Sequence, residues 1–150
     1  MLITIKIIKM IVMLLRIFTE ERALELVKEI MAIETEETND VLNEIYETIT
    51  ESIIHPKIVD LLYDNNRIDL EEDSGDIILW AAEQGRVELM GKILEDPRMK
   101  KYIDYDSIIA EAYYNKQNEI IKMVIPRMNV NEITDEKILR YVNEMDYLND

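Results

Sequence analysis

Matching residues that recur every 31 positions constrain the fold of this chain more than any other feature of its sequence. Residues 87–90 align with residues 118–121 at this offset, and Ala81 aligns with Ala112. A period near 30 residues is typical of helical hairpins stacked into a solenoid, where each repeat buries its apolar face against the next. The repeat therefore predicts an all-α fold, a short solenoid of stacked helical hairpins.

The clearest repeat predicts a short helix, a tight turn and a second helix. The first helix is expected over residues 77–83 and the second over residues 87–94, where apolar residues recur at helical spacing. Gly85, in the turn between them, suits the left-handed conformation that commonly ends a helix. Asp96 and Pro97 are expected to end the second helix, because a residue before proline disfavours the helical conformation.

Composition supports a folded, helical protein without disulfides. Hydrophobic residues make up 48% of the chain, whereas three glycines and three prolines are too few for a turn-rich β-sandwich. Cysteine is absent, which excludes disulfides and fits an intracellular, cytoplasmic location. The net charge of -15 should repel nucleic acid and anionic membranes. We therefore expect no nucleic-acid partner and do not favour a membrane partner.

The chain reads as one continuous domain, because no linker rich in glycine, serine or proline divides it. Residues 1–37 are expected to form N-terminal helices that cap the array or make a degenerate repeat. Residues 38–150 are expected to form the stacked helical repeats. Thr19 is the expected N-cap of a helix over residues 20–33, since its hydroxyl can accept a hydrogen bond from a free backbone N–H. A further helix should begin near Thr38.

The apolar N-terminal segment, residues 2–18, admits two interpretations. Lys6, Lys9 and Arg16 interrupt it, so its longest uncharged stretch is far shorter than the roughly 20 residues that a membrane span requires. The sequence favours an end helix whose apolar face packs onto the helix over residues 20–33 and covers the end of the array. The alternative is a helix that tethers the protein to a membrane.

The best-preserved repeat, residues 78–90, resembles the ankyrin repeat. It has an aliphatic start, two alanines, a glycine-containing turn and a glutamate before paired aliphatic residues. Residues 109–124 keep this spacing without the glycine, and residues 76–79 replace the family's Thr-Pro-Leu-His start. The Asp-Pro-Arg run within residues 94–99 is similar to a variant in ankyrin proteins of large DNA viruses. The resemblance implies a protein-binding scaffold, and a viral origin would imply a host protein as partner, bound in the host cytoplasm.

Residue types that support catalysis or cofactor binding are scarce. His55 is the one histidine, and its expected place in a turn requires no catalytic role. The lack of cysteine excludes a thiol nucleophile and argues against a zinc site. The acidic segments do not match a calcium-binding loop, and the three glycines do not make a phosphate-binding loop. We therefore expect a protein that is not an enzyme and holds no cofactor and no metal.

The resemblance also places a candidate binding surface. In ankyrin repeats the first helix of each unit and the loop before it line the binding groove, which here implies the loops at residues 69–76 and 100–106. Trp80 and its counterpart Glu111 are expected to face this groove, and the alternative is that Trp80 belongs to the core. The candidate partner-binding residues are Asp73, Asp76, Trp80, Asp104, Tyr105, Asp106 and Glu111.

An aromatic side chain ringed by acids suits a protein partner with a basic or amphipathic surface. The main hypothesis is therefore a protein–protein interaction module. Tyrosine is also enriched, with eight in the chain, and Tyr102, Tyr105, Tyr113 and Tyr114 fall in one repeat. Two other hypotheses are an acidic decoy that inhibits a nucleic-acid-binding protein and a scaffold tethered to a membrane by residues 2–18.

Overall fold

The computed structural model describes residues 2–51, 55–65, 68–70 and 74–147, and every regular element in these ranges is helical. The all-α fold class is confirmed for them. The α-helices are α1 (Leu2–Ile17), α2 (Glu20–Met31), α3 (Glu36–Glu51), α4 (Pro56–Tyr63), α5 (Ser74–Glu83), α6 (Val87–Glu95), α7 (Tyr105–Tyr114), α8 (Asn118–Val124) and α9 (Glu136–Tyr147). Short 3₁₀ turns cover Lys100–Tyr102, Ile125–Arg127 and Val130–Glu132.

The chain divides into two compact units, Met1–Asp73 and Ser74–Asp150. Residue 37, where the sequence interpretation ended the N-terminal helices, lies within α3, which begins at Glu36. Each unit has its own set of packed helices, α1 to α4 in the first and α5 to α9 in the second.

In the first unit α3 is the central helix, packed against α1, α2 and α4. The Thr19 hydroxyl accepts a 3.4 Å hydrogen bond from the backbone N–H of Arg22, which confirms the predicted N-cap of α2. At the start of α3, the backbone N–H of Thr35 donates to the Thr38 hydroxyl at 3.0 Å, and that of Thr38 donates to the Thr35 hydroxyl at 3.3 Å. This reciprocal pair satisfies N–H groups that a helix leaves free, so α3 begins before Thr38.

The N-terminal helix α1 packs chiefly against α3, whereas the sequence predicted packing on α2. Leu15 is buried on this side, and its carbonyl oxygen accepts a 2.7 Å hydrogen bond from Nε2 of His55. His55 is itself buried at the N-cap of α4, so it fixes the end of α1 from a distant part of the chain. None of the described helices is long and apolar enough to cross a membrane.

In the second unit, the predicted period recurs in the helix boundaries. The first helices α5, α7 and α9 begin at residues 74, 105 and 136, and the second helices α6 and α8 begin at residues 87 and 118. α5 packs on α7, α7 on α9 and α6 on α8, so equivalent helices are neighbours. The predicted interior positions of the second helices are confirmed as buried: Leu89, Ile93, Ile120 and Val124.

The turn between α5 and α6 has the predicted conformation, with Gly85 left-handed at a φ of 63°. α5 begins at Ser74, three residues before the predicted start at Ile77. Asp76 lies in this added first turn, where a carboxylate is stabilised by the free N–H groups of the helix end. The predicted end of α6 is close to that observed, because Asp96 is its C-cap.

Candidate partner-binding surface

Trp80 lies in the interior and not on a groove. Only 4% of the side chain is exposed, and its indole Nε1 finds no hydrogen-bond acceptor among the described residues. The core alternative therefore describes this residue, and the expectation that Trp80 faces a partner is corrected. The reason is its register on α5: the neighbours Ala81 and Ala82 are also buried, whereas Leu79 on its other side is exposed.

The outward row of the first helices passes through Leu79. Its side chain is 36% exposed on α5, and the equivalent positions one and two repeats later are Ala110 on α7 and Tyr141 on α9, both partly exposed. The sequence interpretation missed this row because it chose the one tryptophan as the aromatic contact. The spacing of polar Asp76 and Glu83, three residues before and four after Leu79, was the available signal that this face points outward.

The acidic candidates at the start of α7 have structural roles as well as charge. Asp104 is the N-cap of α7 and accepts hydrogen bonds from the Asp106 backbone N–H at 3.2 Å and from the Ser107 hydroxyl at 2.7 Å. Asp106 accepts a 3.1 Å hydrogen bond from the Thr134 hydroxyl before α9. Their carboxylates therefore order the loops of consecutive repeats while leaving negative charge at the loop tips.

The other candidates are dispersed. Asp76 is exposed in the first turn of α5, and Tyr105 lines a separate surface cavity of about 450 Å³ beside Leu94. Glu111 is partly exposed on α7 and accepts a 3.4 Å hydrogen bond from the Asn115 side-chain amide. Asp73 lies outside the described residues. The structure therefore groups Asp104, Tyr105 and Asp106 at one loop and does not centre them on Trp80.

Three tyrosines form an aromatic groove on α7 and α9. The tyrosine groove is an open cavity of about 560 Å³ lined by Tyr113, Tyr114, Lys116, Asn118, Lys137 and Tyr141. The ring of Tyr113 meets the rings of Tyr114 and Tyr141 edge-on, with centroid distances of 5.3 and 5.2 Å. Edge-to-face contacts of this kind are favourable for aromatic pairs, so the three rings hold each other in place.

Hydrogen bonds fix the two outer rings of the groove. The Tyr114 hydroxyl donates to Oδ2 of Asp135 at 2.7 Å, and the Tyr141 hydroxyl donates to Oδ1 of Asn118 at 2.7 Å. The bond to Asp135 raises the pKa of Tyr114, and the same bond is the main cause that lowers the pKa of Asp135. Tyr114 nevertheless stays 61% exposed, so the hydrogen bond restrains its ring while leaving it accessible to a partner.

In the described ranges, no three histidine, aspartate or glutamate side chains are grouped closely enough to hold a metal ion. Comparison with models of known protein families, with curated proteins and with solved structures finds no match to this chain. The functional assignment therefore depends on the residues themselves.

Proposed function

We propose that this protein is a non-catalytic protein–protein interaction module built from ankyrin-like repeats. The observation that carries the proposal is the tyrosine groove, an ordered and open aromatic surface on the first helices of consecutive repeats. Tyrosine is enriched where interfaces concentrate their binding free energy, because it supplies a large rigid contact area together with a polar hydroxyl. A surface that is ordered before binding also loses less conformational entropy on association.

The proposed partner presents an apolar side chain flanked by lysine or arginine. The apolar side chain would lie against the rings of Tyr113, Tyr114 and Tyr141. The basic residues would be attracted by the carboxylates at the loop tips and by the net charge of -15, mainly through a faster association rate. Lys116 and Lys137 at the groove can donate hydrogen bonds to backbone carbonyls of an extended segment, which requires no acid in the partner.

The resemblance to ankyrin proteins of large DNA viruses makes a host protein, in the host cytoplasm, the proposed target. The acidic-decoy hypothesis has less support, because a decoy needs its acids in rows on one exposed face. Here Asp104 and Asp135 instead cap helices.

Binding to two peptide libraries tests the proposal. In one library an apolar residue is flanked by lysine or arginine, and in the other it is flanked by aspartate or glutamate. We expect the basic library to yield ligands for the wild-type protein whose affinity falls as salt is raised. Tyr114→Ala should weaken them by about 30-fold or more if Tyr114 is a main contact.

Tyr114→Phe is the matched control, because it keeps the ring and removes only the hydroxyl that binds Asp135. It should retain most of the affinity. Ligands recovered only from the acidic library would overturn the proposed partner chemistry. Ligands that bind Tyr114→Ala with the same affinity as the wild-type protein would place the interaction elsewhere on the protein.

A further inference from the structure

The N-terminal helix α1 has one buried side and one exposed side that is also apolar. The exposed hydrophobic side chains are Ile5, Ile7, Met10, Met13 and Ile17, at 44, 45, 52, 57 and 71% exposure. They account for five of the nine large hydrophobic side chains that are exposed among the described residues. A soluble surface rarely concentrates this much apolar area on one helix without a binding role.

The same side of α1 carries cations. Met10, Met13 and Ile17 lie at spacings of three and four residues and so form one stripe, and Lys6 continues that stripe one turn earlier. Lys9 and Arg16 flank it and are exposed. Residues 2–17 contain these three basic residues and no acidic residue, although the whole chain carries a net charge of -15. This helix thus combines three basic residues, and no acidic one, with exposed apolar side chains.

We propose that the exposed side of α1 docks on an anionic lipid membrane, with the helix lying in the plane of the interface. A helix of 16 residues is about 24 Å long, shorter than the roughly 30 Å hydrocarbon core, so it suits the surface and not a span. Apolar side chains inserted below the headgroups, with lysine and arginine at headgroup level, are the features of interfacial helices. The buried side of α1 remains packed on α3, so docking requires no unfolding.

A second copy of the chain is the other occupant that this surface could take, and charge argues against it. Two α1 helices packed face to face would bring three basic residues of each copy together with no acid on either helix. An anionic lipid surface instead supplies many negative headgroups, which also offset the repulsion from the acidic remainder of the chain. The exposed side of α1 is therefore better matched to an anionic membrane than to a second copy of the same helix.

Flotation of the full-length protein with vesicles tests the inference. Vesicles of phosphatidylcholine with phosphatidylserine should bind the protein, and pure phosphatidylcholine vesicles should bind it at least about tenfold less. The double variant Met10→Glu/Ile17→Glu should lose binding, because it places charges where the acyl chains would be. Lys6→Gln/Lys9→Gln should weaken binding by about tenfold or more, since each basic residue near an anionic membrane contributes to affinity.

Ile33→Glu is the matched control, an equally exposed apolar residue beyond the end of α2. It should bind like wild type, and circular dichroism should show the same helix content in all variants. Equal binding of wild type to both vesicle types, or undiminished binding of Met10→Glu/Ile17→Glu, would overturn the inference. So would a wild-type dimer in vesicle-free solution that Met10→Glu/Ile17→Glu converts to a monomer, because a second copy would then cover the face.

Discussion

Gly85 and Lys116 occupy equivalent turns 31 residues apart and share the left-handed conformation, with φ angles of 63° and 61°. Glycine adopts this conformation freely, whereas a residue with a Cβ does so at a cost of about 1–2 kcal/mol. We therefore infer that the packing of the two flanking helices imposes this conformation in both turns. The identity of the turn residue then determines only the free-energy cost of adopting it. The second repeat keeps its shape although it has lost the glycine.

Replacing Lys116 by glycine should stabilise the protein. The left-handed strain is removed, and part of that gain is offset by the greater flexibility of glycine in the unfolded chain, so we expect about 0.5–1 kcal/mol. Chemical denaturation measures this as a higher midpoint. Lys116→Ala is the control, since alanine keeps the Cβ and should give no gain. Equal stabilisation by both variants would show that the lysine charge, and not φ, is responsible.

Substitution in the turn at Gly85 should have the opposite effect and lower the stability of the protein. In Gly85→Ala the new Cβ would meet the Gln117 side chain, whose amide donates a 2.9 Å hydrogen bond to the Glu83 carbonyl at the end of α5. Strain and displacement of this bond together should lower the free energy of unfolding by about 1–3 kcal/mol. Measuring Gly85→Ala in a Gln117→Ala background separates the two effects. An equal loss of stability from Gly85→Ala in the wild-type and Gln117→Ala backgrounds would assign the whole loss to backbone strain.

The repeat formed by α5 and α6 was largely predictable, since apolar periodicity, Gly85 and the stop at Asp96 locate α6 closely. The helix against which α1 packs was not predictable. An apolar helix can bury against any apolar neighbour, and the choice of α3 depends on contacts such as His55 to Leu15, which join residues 40 positions apart. The local pattern of apolar and polar residues does not indicate a hydrogen bond between such distant positions. The sequence therefore predicted only that His55 lies in a turn.

Leu89 tests the register of α6. Its side chain is 2% exposed, and truncation to alanine should cost about 2–5 kcal/mol because it removes apolar contacts and leaves a cavity. Val87 in the same helix is 38% exposed, so Val87→Ala should change stability by less than about 0.5 kcal/mol. Urea denaturation of both variants makes the comparison. Similar losses for the two would mean that α6 presents a different face to its neighbours.

The hydrogen bond from Tyr114 to Asp135 predicts a dependence on pH. Asp135 has a lowered pKa in the folded protein, so its contribution to stability is complete above the unfolded value of about 3.9 and is lost as pH falls through the lower folded value. Tyr114→Phe should therefore destabilise at neutral pH and match wild type in strong acid. NMR titration should show the Asp135 pKa rising in Tyr114→Phe while staying below its ordinary value. The backbone N–H groups of Lys137 and Ile138 still donate to Asp135 in that variant.

The binding surface that we propose shares its place on the first helices with the sequence prediction, but not its central residue. The sequence placed it on the first helices, and Tyr113 and Tyr114 were visible as a cluster, yet Trp80 was chosen as the main contact. Successive positions on a helix differ by about 100°, so a shift of one residue turns a side chain from solvent to core. Leu79 and Trp80 differ by that single step.

Substitution of Trp80 distinguishes a core position from a groove position, because truncation lowers stability at the first and partner affinity at the second. As a buried residue, Trp80→Ala should lower the free energy of unfolding by about 3–5 kcal/mol, and Trp80→Phe should lower it by less. Peptide affinity, expressed per folded molecule, should be unchanged in Trp80→Phe. Tyr114→Ala should show the reverse pattern, with affinity lost and a smaller loss of stability than Trp80→Ala, since its ring is 61% exposed. Calorimetry for unfolding and titration with a ligand from the basic peptide library provide both readouts on the same preparations. A fully folded Trp80→Phe protein that binds at least tenfold more weakly would return Trp80 to the binding surface and show that the repeat opens to expose it.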